Sequence, residues 1–173
     1  MIRRINLIGG PGCGKSTLAA YTYSYLKTHG HDVELAREFV KSWAYQKIRP
    51  ASFDQLYITA SQLREEDLLL RSGVDIVISD SPLVMQLVYV HGEPLFEELL
   101  SIVQKFDNKH PSLNIWLERG NLPYKTEGRY QTLEQAKLLD AALKALLDKI
   151  GLKYTSIGAT DTNKLISIIS GVL

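Results

Sequence analysis

An apolar run, a glycine-rich octapeptide and a helical stretch follow one another at the start of the chain. Ile5-Asn6-Leu7-Ile8 reads as a buried strand, and Ser16-Thr17-Leu18-Ala19-Ala20-Tyr21 as the first turns of a helix. Between them lies Gly9-Gly10-Pro11-Gly12-Cys13-Gly14-Lys15-Ser16, which fits the pattern G-x-x-x-x-G-K-[ST]. Strand, glycine loop and helix in that order open a β-α-β unit, so the pattern constrains fold and chemistry together. The backbone N–H groups of such a loop wrap a chain of phosphates, and the helix N-terminus adds partial positive charge beneath them. Gly10, Gly12, Cys13, Gly14, Lys15, Ser16 and Thr17 are therefore expected to hold a nucleoside triphosphate. Lys15 would reach its β- and γ-phosphates, and the Ser16 hydroxyl would hold Mg²⁺. A glycine turn with a chance lysine would leave the ordered Gly-Lys-Ser end unexplained. Cys13 reads as a small filler rather than a nucleophile or redox switch.

The remaining chain alternates strand and helix signals. Strands are expected at Arg3–Ile8, Val33–Ala36, Val74–Ser79, Ser112–Leu117 and Leu152–Ile157. Helices are expected at Lys15–His29, closed by Gly30, and from Glu38 to about Gln46. A longer one, capped by Ser52 or Asp54, runs to Arg71, with Gly73 beyond its end. Pro82 suits the first turn of a short helix to about Val90, and Pro94–Phe106 has apolar residues at helical spacing. Thr132 with Gln135 forms a capping box for a helix to Ile150, and Asp161 or Thr162 caps the last. Five mostly apolar strands separated by helices imply an α/β fold with a five-stranded parallel sheet covered on both faces, the P-loop NTPase arrangement. One domain spanning 1–173 is expected, with a mobile lid loop at about 118–131.

Composition narrows the function classes. The 173 residues carry 20 Lys and Arg against 19 Asp and Glu, so no broad basic field draws the chain to nucleic acid, although a local basic groove stays open. No apolar run approaches the roughly 18–20 residues of a membrane span, so no membrane partner is expected. Met1-Ile2-Arg3-Arg4 runs directly into the first strand, which reads as leaving no signal peptide, and the single cysteine suits a reducing cytoplasm. His29, His31, His91 and His110 lack mutual ligand spacing and are assigned to the surface.

Three further segments carry chemistry. Asp80, after the third strand, is the candidate Mg²⁺-side carboxylate, the alternative being a capping residue before Pro82. Glu38, after the second strand, could bind or deprotonate an acceptor hydroxyl, or simply favour a helix start, and Arg37 could hold an acceptor anion. Arg119, Lys125 and Arg129, interleaved with Tyr124 and Tyr130, give the 118–131 loop the cations of a closing lid, with Gly120 and Gly128 as flexible points. Arg119 and Arg129 would stabilise transferring charge. The alternative is a solvated polar loop. Gly158-Ala159-Thr160-Asp161 could touch the donor base or form a plain turn. Gln62 and Glu66 share a helix face that could read an acceptor or be solvated. Trp43 and Tyr45 could stack on a base or pack in the core.

With Gly9–Thr17, Glu34-Leu35-Ala36-Arg37-Glu38, Gln62–Glu66, Ser79-Asp80-Ser81-Pro82 and Tyr124–Gln131 in order along nearly the whole chain, the sequence resembles small P-loop kinases of nucleosides and nucleotides. It is most similar to the branch holding nicotinamide riboside kinase domains and phage-encoded kinases. Phage enzymes that phosphorylate 5-hydroxymethyluracil in DNA look similar in size and layout. The resemblance implies transfer of the γ-phosphate of ATP or GTP, with Mg²⁺, to a hydroxyl of a nucleoside-type acceptor. That acceptor would be a modified DNA base, a free nucleoside or a nucleotide. It also implies a cytoplasmic protein, in the host cytoplasm if phage-encoded. The sequence reads as lacking the adenylyltransferase domain often fused to nicotinamide riboside kinases. It departs from thymidylate kinases in having Arg37-Glu38 where they have an Asp-Arg pair. An NTPase that drives a partner without a phosphoacceptor is the rival reading, and a binding module without turnover the next.

Overall fold

The computed structural model describes residues 2–121 and 123–173; Met1, and Leu122 of the expected lid, lie outside the described residues. Five strands, β1 Arg4–Ile8, β2 Val33–Ala36, β3 Ile76–Ser79, β4 Ser112–Glu118 and β5 Thr155–Gly158, form one parallel sheet in the order β2-β3-β1-β4-β5. Strand β1 is central, with β3 on one side (Ile5 opposite Ile78) and β4 on the other (Ile5 opposite Leu113). The chain therefore reverses its winding direction beside β1. The crevice beyond the carboxyl end of such a strand is where open α/β sheets take their ligands.

The period-two alternation of β1 sorts its side chains between two cores. Ile5 and Leu7 join Leu18, Ala19 and Leu26 of helix α1 (Lys15–Thr28) and Leu165 and Ile169 of helix α6 (Thr162–Ser170). Ile8 faces the other core, built on α3 (Asp54–Arg71), α4 (Phe96–Lys109) and α5 (Leu133–Lys149). Arg4 falls on that second face and is fully buried. Its guanidinium lies 3.0 Å from the Glu66 carboxylate, donates to Asp107 Oδ1 at 2.7 Å and covers the Phe106 ring at 4.6 Å. Ser79 donates to Glu66 Oε1 at 2.9 Å. Burial drives the Glu66 carboxyl upward, against the Arg4 cation and the Ser79 hydroxyl that favour the anion.

Several boundaries differ from the sequence expectation. The helix expected from Glu38 begins only at Lys41, as the five-residue α2 (Lys41–Tyr45), so Glu38 stands in a loop and owes nothing to a helix start. Neither Ser52 nor Asp54 caps α3; the Asp54 carboxylate instead accepts from Ala51 N at 2.8 Å. Leu83–Tyr89 winds as a 3₁₀ segment, with Pro82 extended just before it. Helix α4 runs from Phe96 to Lys109 and stops at His110 (φ −128°, ψ 80°), because the residue before Pro111 is disfavoured in helical conformation. Strand β5 starts at Thr155 rather than Leu152, since Leu152 N is taken by Leu147 O at the end of α5. The Thr132–Gln135 capping box and the Asp161 cap form as expected. His110 is half-buried against Phe106 rather than free on the surface.

Candidate functional site

The glycine loop leaves β1 at the reversal point and enters α1 through Gly14. Gly12 (φ 74°) and Gly14 (φ 97°) occupy the left-handed region, which a side chain rarely tolerates. Helix α1 has no side-chain cap, so its first N–H groups are open to an anion. Lys15 Nζ folds back on the loop and donates to Gly9 O (2.6 Å) and Gly10 O (2.9 Å). Cys13 is buried in the core shared with α1. Lys41, from α2, reaches to 3.5 Å from the Ser16 hydroxyl.

A cavity of about 570 Å³ opens over this loop. Gly12, Gly14, Lys15, Ser16 and Thr17 of the phosphate loop line it, together with Glu38, Lys41, Gln55, Gln86, Tyr89, Arg129 and Tyr130 from other parts of the chain. Four cations, Lys15, Lys41, Arg49 and Arg129, face two carboxylates, Glu38 and Glu127, so the lining favours an anion. Burial pushes the Glu38 carboxyl above the usual carboxylate range, and Asp80 adds to the shift; Lys15, Lys41 and Arg129 oppose it. Burial and the Glu38 charge also raise the Tyr89 phenol.

The 118–131 loop lies against this mouth through three tyrosines. The Tyr124 ring packs over Gly12, where a Cβ would come within 2.6 Å of it. A Cβ at Gly128 would come equally close to the Tyr45 ring. Tyr130 Oη donates to Ile48 O at 2.6 Å. The Arg129 guanidinium covers the Tyr124 ring at 5.2 Å.

A model of the AAA domain family matches residues 4–164. The chain belongs to that family. No curated protein matches it. Among solved structures, NadR in complex with NAD and AMP-PNP superposes with a TM-score of 0.67 at 17% identity, covering 90% of this chain and 44% of that one. The chain thus spans less than half of the NadR structure. Deoxyadenosine kinase from M. mycoides, with product dCMP and a flexible dCDP bound, superposes with a TM-score of 0.58 at 15% identity, covering 97% of each chain. At these identities the likeness establishes a shared fold, the kinase-like P-loop arrangement.

Within that family fold, the candidate residues separate into two groups. Lys15, Ser16, Thr17, Glu38 and Arg129 meet around the cavity. Asp80 sits buried at the end of β3, its Oδ1 without a hydrogen-bond partner among the described residues. Gly10 and Arg119 do not line the cavity. Gly10 N donates to Asp140 Oδ1 at 2.7 Å, and Arg119 binds Asp140 and Pro11 O. Arg37 is exposed and also outside the lining. Gln62 and Glu66 are buried rather than solvated. Gln62 Oε1 accepts from Phe39 N at 3.1 Å, and Glu66 is consumed by Arg4 and Ser79. Sequence reasoning missed Asp140, Gln86 and Tyr89. Asp140 lies in the middle of an otherwise ordinary amphipathic helix, and no local pattern marks it.

Proposed function

We propose that this chain is a phosphotransferase that passes the γ-phosphate of ATP or GTP to a hydroxyl of a nucleoside-type acceptor. The observation that carries this reading is one cavity lined both by the phosphate loop (Lys15, Ser16 and Thr17) and, where the acceptor would sit, by Glu38, Gln55, Gln86 and Tyr89. A hydrolytic NTPase needs room only for water at that position. A space of about 570 Å³ lies in the range of small-molecule sites. The shared fold with deoxyadenosine kinase and with NadR supports the same class.

In this reading the loop amides and Lys15 hold the donor. The acceptor oxygen bonds to the γ-phosphorus as the bond from that phosphorus to the β–γ bridging oxygen breaks, releasing the nucleoside diphosphate. The acceptor's proton passes to the Glu38 carboxylate, whose raised affinity for protons makes it a stronger base than an ordinary carboxylate. Arg129 neutralises charge on the transferring group, and the 118–131 segment acts as a lid over one domain. Arg119 acts from outside the cavity, through the phosphate loop. Ser16 and the buried Asp80 oxygen, unpartnered among the described residues, fit a divalent cation held partly through water. Mg²⁺ bound there would neutralise phosphate charge.

For the acceptor, the sequence resemblance favours the hydroxymethyl group of 5-hydroxymethyluracil in DNA. A free nucleoside or nucleotide is the second reading, favoured by the end-to-end superposition on deoxyadenosine kinase. A γ-labelled donor incubated with nucleosides, nucleotides, and plain and hydroxymethylated DNA tests both. Label in hydroxymethylated DNA supports the first, and label in small molecules alone supports the second. Donor hydrolysis with no labelled acceptor would overturn the phosphotransferase reading.

A further inference from the structure

The outer rim of the cavity combines charge and aromatic surface in one stretch. Residues 41–57 carry Lys41, Lys47 and Arg49 against one carboxylate, Asp54, in a chain whose total charge is nearly balanced. Every residue from Tyr45 to Phe53 is exposed. Phe53 stands 66% exposed and Tyr57, one turn into α3, 58% exposed. Single exposed apolar residues are ordinary on a protein surface, but here Ile48, Phe53, Leu56 and Tyr57 are exposed together in one short stretch. Tyr57 is also held in place. Its ring stacks on Trp43 (centroids 6.1 Å, 23° between planes) and meets Phe39 edge-on at 5.5 Å. A ring fixed by two others yet open to solvent loses little freedom when a further flat group stacks on it.

We propose that this rim is a platform for single-stranded nucleic acid. Its cations would follow the phosphodiester backbone while Phe53 and Tyr57 stack bases flanking an acceptor nucleotide inserted in the cavity. The inference rests on the phosphotransferase reading for the inserted nucleotide, but the platform itself needs no turnover. Charge selects this occupant: a stretch from Lys41 to Tyr57 with three cations against one carboxylate, Asp54, which is engaged by Ala51 N, and with aromatic rings between them, matches a polyanion with stackable bases. Arg49, which lines both the rim and the cavity, joins the two.

The test is fluorescence anisotropy with a labelled oligothymidine of about twelve nucleotides, a length within the span of known single-strand sites. The wild-type chain should bind it with salt-sensitive affinity. The Phe53→Ala/Tyr57→Ala double variant should bind about tenfold or more weakly, the scale of lost base stacking. Lys47→Gln should reduce the salt slope by about 0.7. Phe53→Trp should bind as wild type, and a non-hydrolysable NTP analogue should bind every variant equally. Absence of oligonucleotide binding, or equal binding by the double variant, overturns the platform. So does a concentration-dependent dimer that Phe53→Ala dissolves, because the rim is then a self-association surface. Strand binding without transfer to any acceptor would reject the phosphotransferase and keep the platform. Transfer to free nucleosides without strand binding would do the reverse.

Discussion

Arg119 and Asp140 form a two-point ion pair, Nε to Oδ2 at 2.6 Å and Nη2 to Oδ1 at 3.1 Å, that grips the phosphate loop from outside the cavity. Asp140 also accepts from Gly10 N at 2.7 Å, and Arg119 donates to Pro11 O at 2.8 Å. The root of the 118–131 loop, the middle of α5 and the start of the glycine loop are thus tied at one carboxylate.

Removing that carboxylate should loosen the loop without touching the reacting atoms. Asp140→Ala is expected to raise the donor KM about tenfold and to change kcat less. It should also lower stability by about 1–3 kcal/mol, the scale of a lost charge-assisted contact that strands its partner. Asp140→Asn keeps an acceptor for Gly10 N and should recover part of the donor affinity. Steady-state kinetics with direct analogue binding checks both. Equal donor KM in wild type and Asp140→Ala would contradict the tether.

How much of this was legible in the sequence depended on range. Gly9–Ser16 could be read because strand, loop and helix are contiguous, and each local preference agrees with the fold. Glu38, Asp80 and Arg129 stand out as candidates because they follow strands whose carboxyl ends meet at one edge of a parallel sheet. Asp140 does not, since its partner Gly10 is 130 residues away and only packing joins them. Glu66 misled for the same reason. Its apparent helix face is filled by Arg4 from the central strand, a charge that the apolar reading of β1 had not placed inside. The helix expected over 38–46 starts later because Phe39 and Val40 form a turn ahead of α2.

Lys15→Ala should cost about 10²–10³-fold or more in kcat, the scale of removing one preorganised charge from a transition state. Nζ rests on Gly9 O and Gly10 O, so deleting it leaves two carbonyls to water rather than a collapsed loop. Thermal denaturation should therefore differ little from wild type, and a triphosphate analogue should still bind through the backbone amides. A variant with near-normal kcat would exclude Lys15 from the chemistry.

Glu38 should reveal itself through opposite effects on activity and stability. Burial raises its carboxyl in the folded chain, so folding favours the protonated form. The favourable contribution is complete below the unfolded carboxylate value and is lost as pH rises through the higher folded value. Glu38→Gln, neutral at every pH, should therefore gain stability relative to wild type across that window and match it more closely in acid. Its kcat should fall about 10²–10⁴-fold, as expected for loss of a general base. The acid limb of kcat/KM in the wild type should lie above the ordinary carboxylate range and vanish in Glu38→Gln. Denaturation and rate profiles from pH 4 to about pH 8 decide it; a parallel stability curve for the two proteins would contradict the assignment.

Arg129 separates a working lid from a merely polar loop. Its guanidinium covers the Tyr124 ring, which itself packs on Gly12, so the cation is carried by a contact with the phosphate loop. Tyr124 Oη donates to Gln131 O at 2.8 Å, and Tyr130 fastens the far side to Ile48, so the loop keeps its hold when the Arg129 side chain is removed. Arg129→Ala should therefore leave donor affinity within a few-fold of wild type while kcat falls about 10²–10³-fold. A loop that only shields solvent would give the reverse pattern, with donor KM altered and kcat preserved. Arg129→Lys retains charge but not the planar fork that can span two phosphate oxygens, and should recover only part of the loss. Undiminished turnover in Arg129→Ala would remove the 118–131 segment from the reaction and return it to the solvated loop that its composition alone would allow.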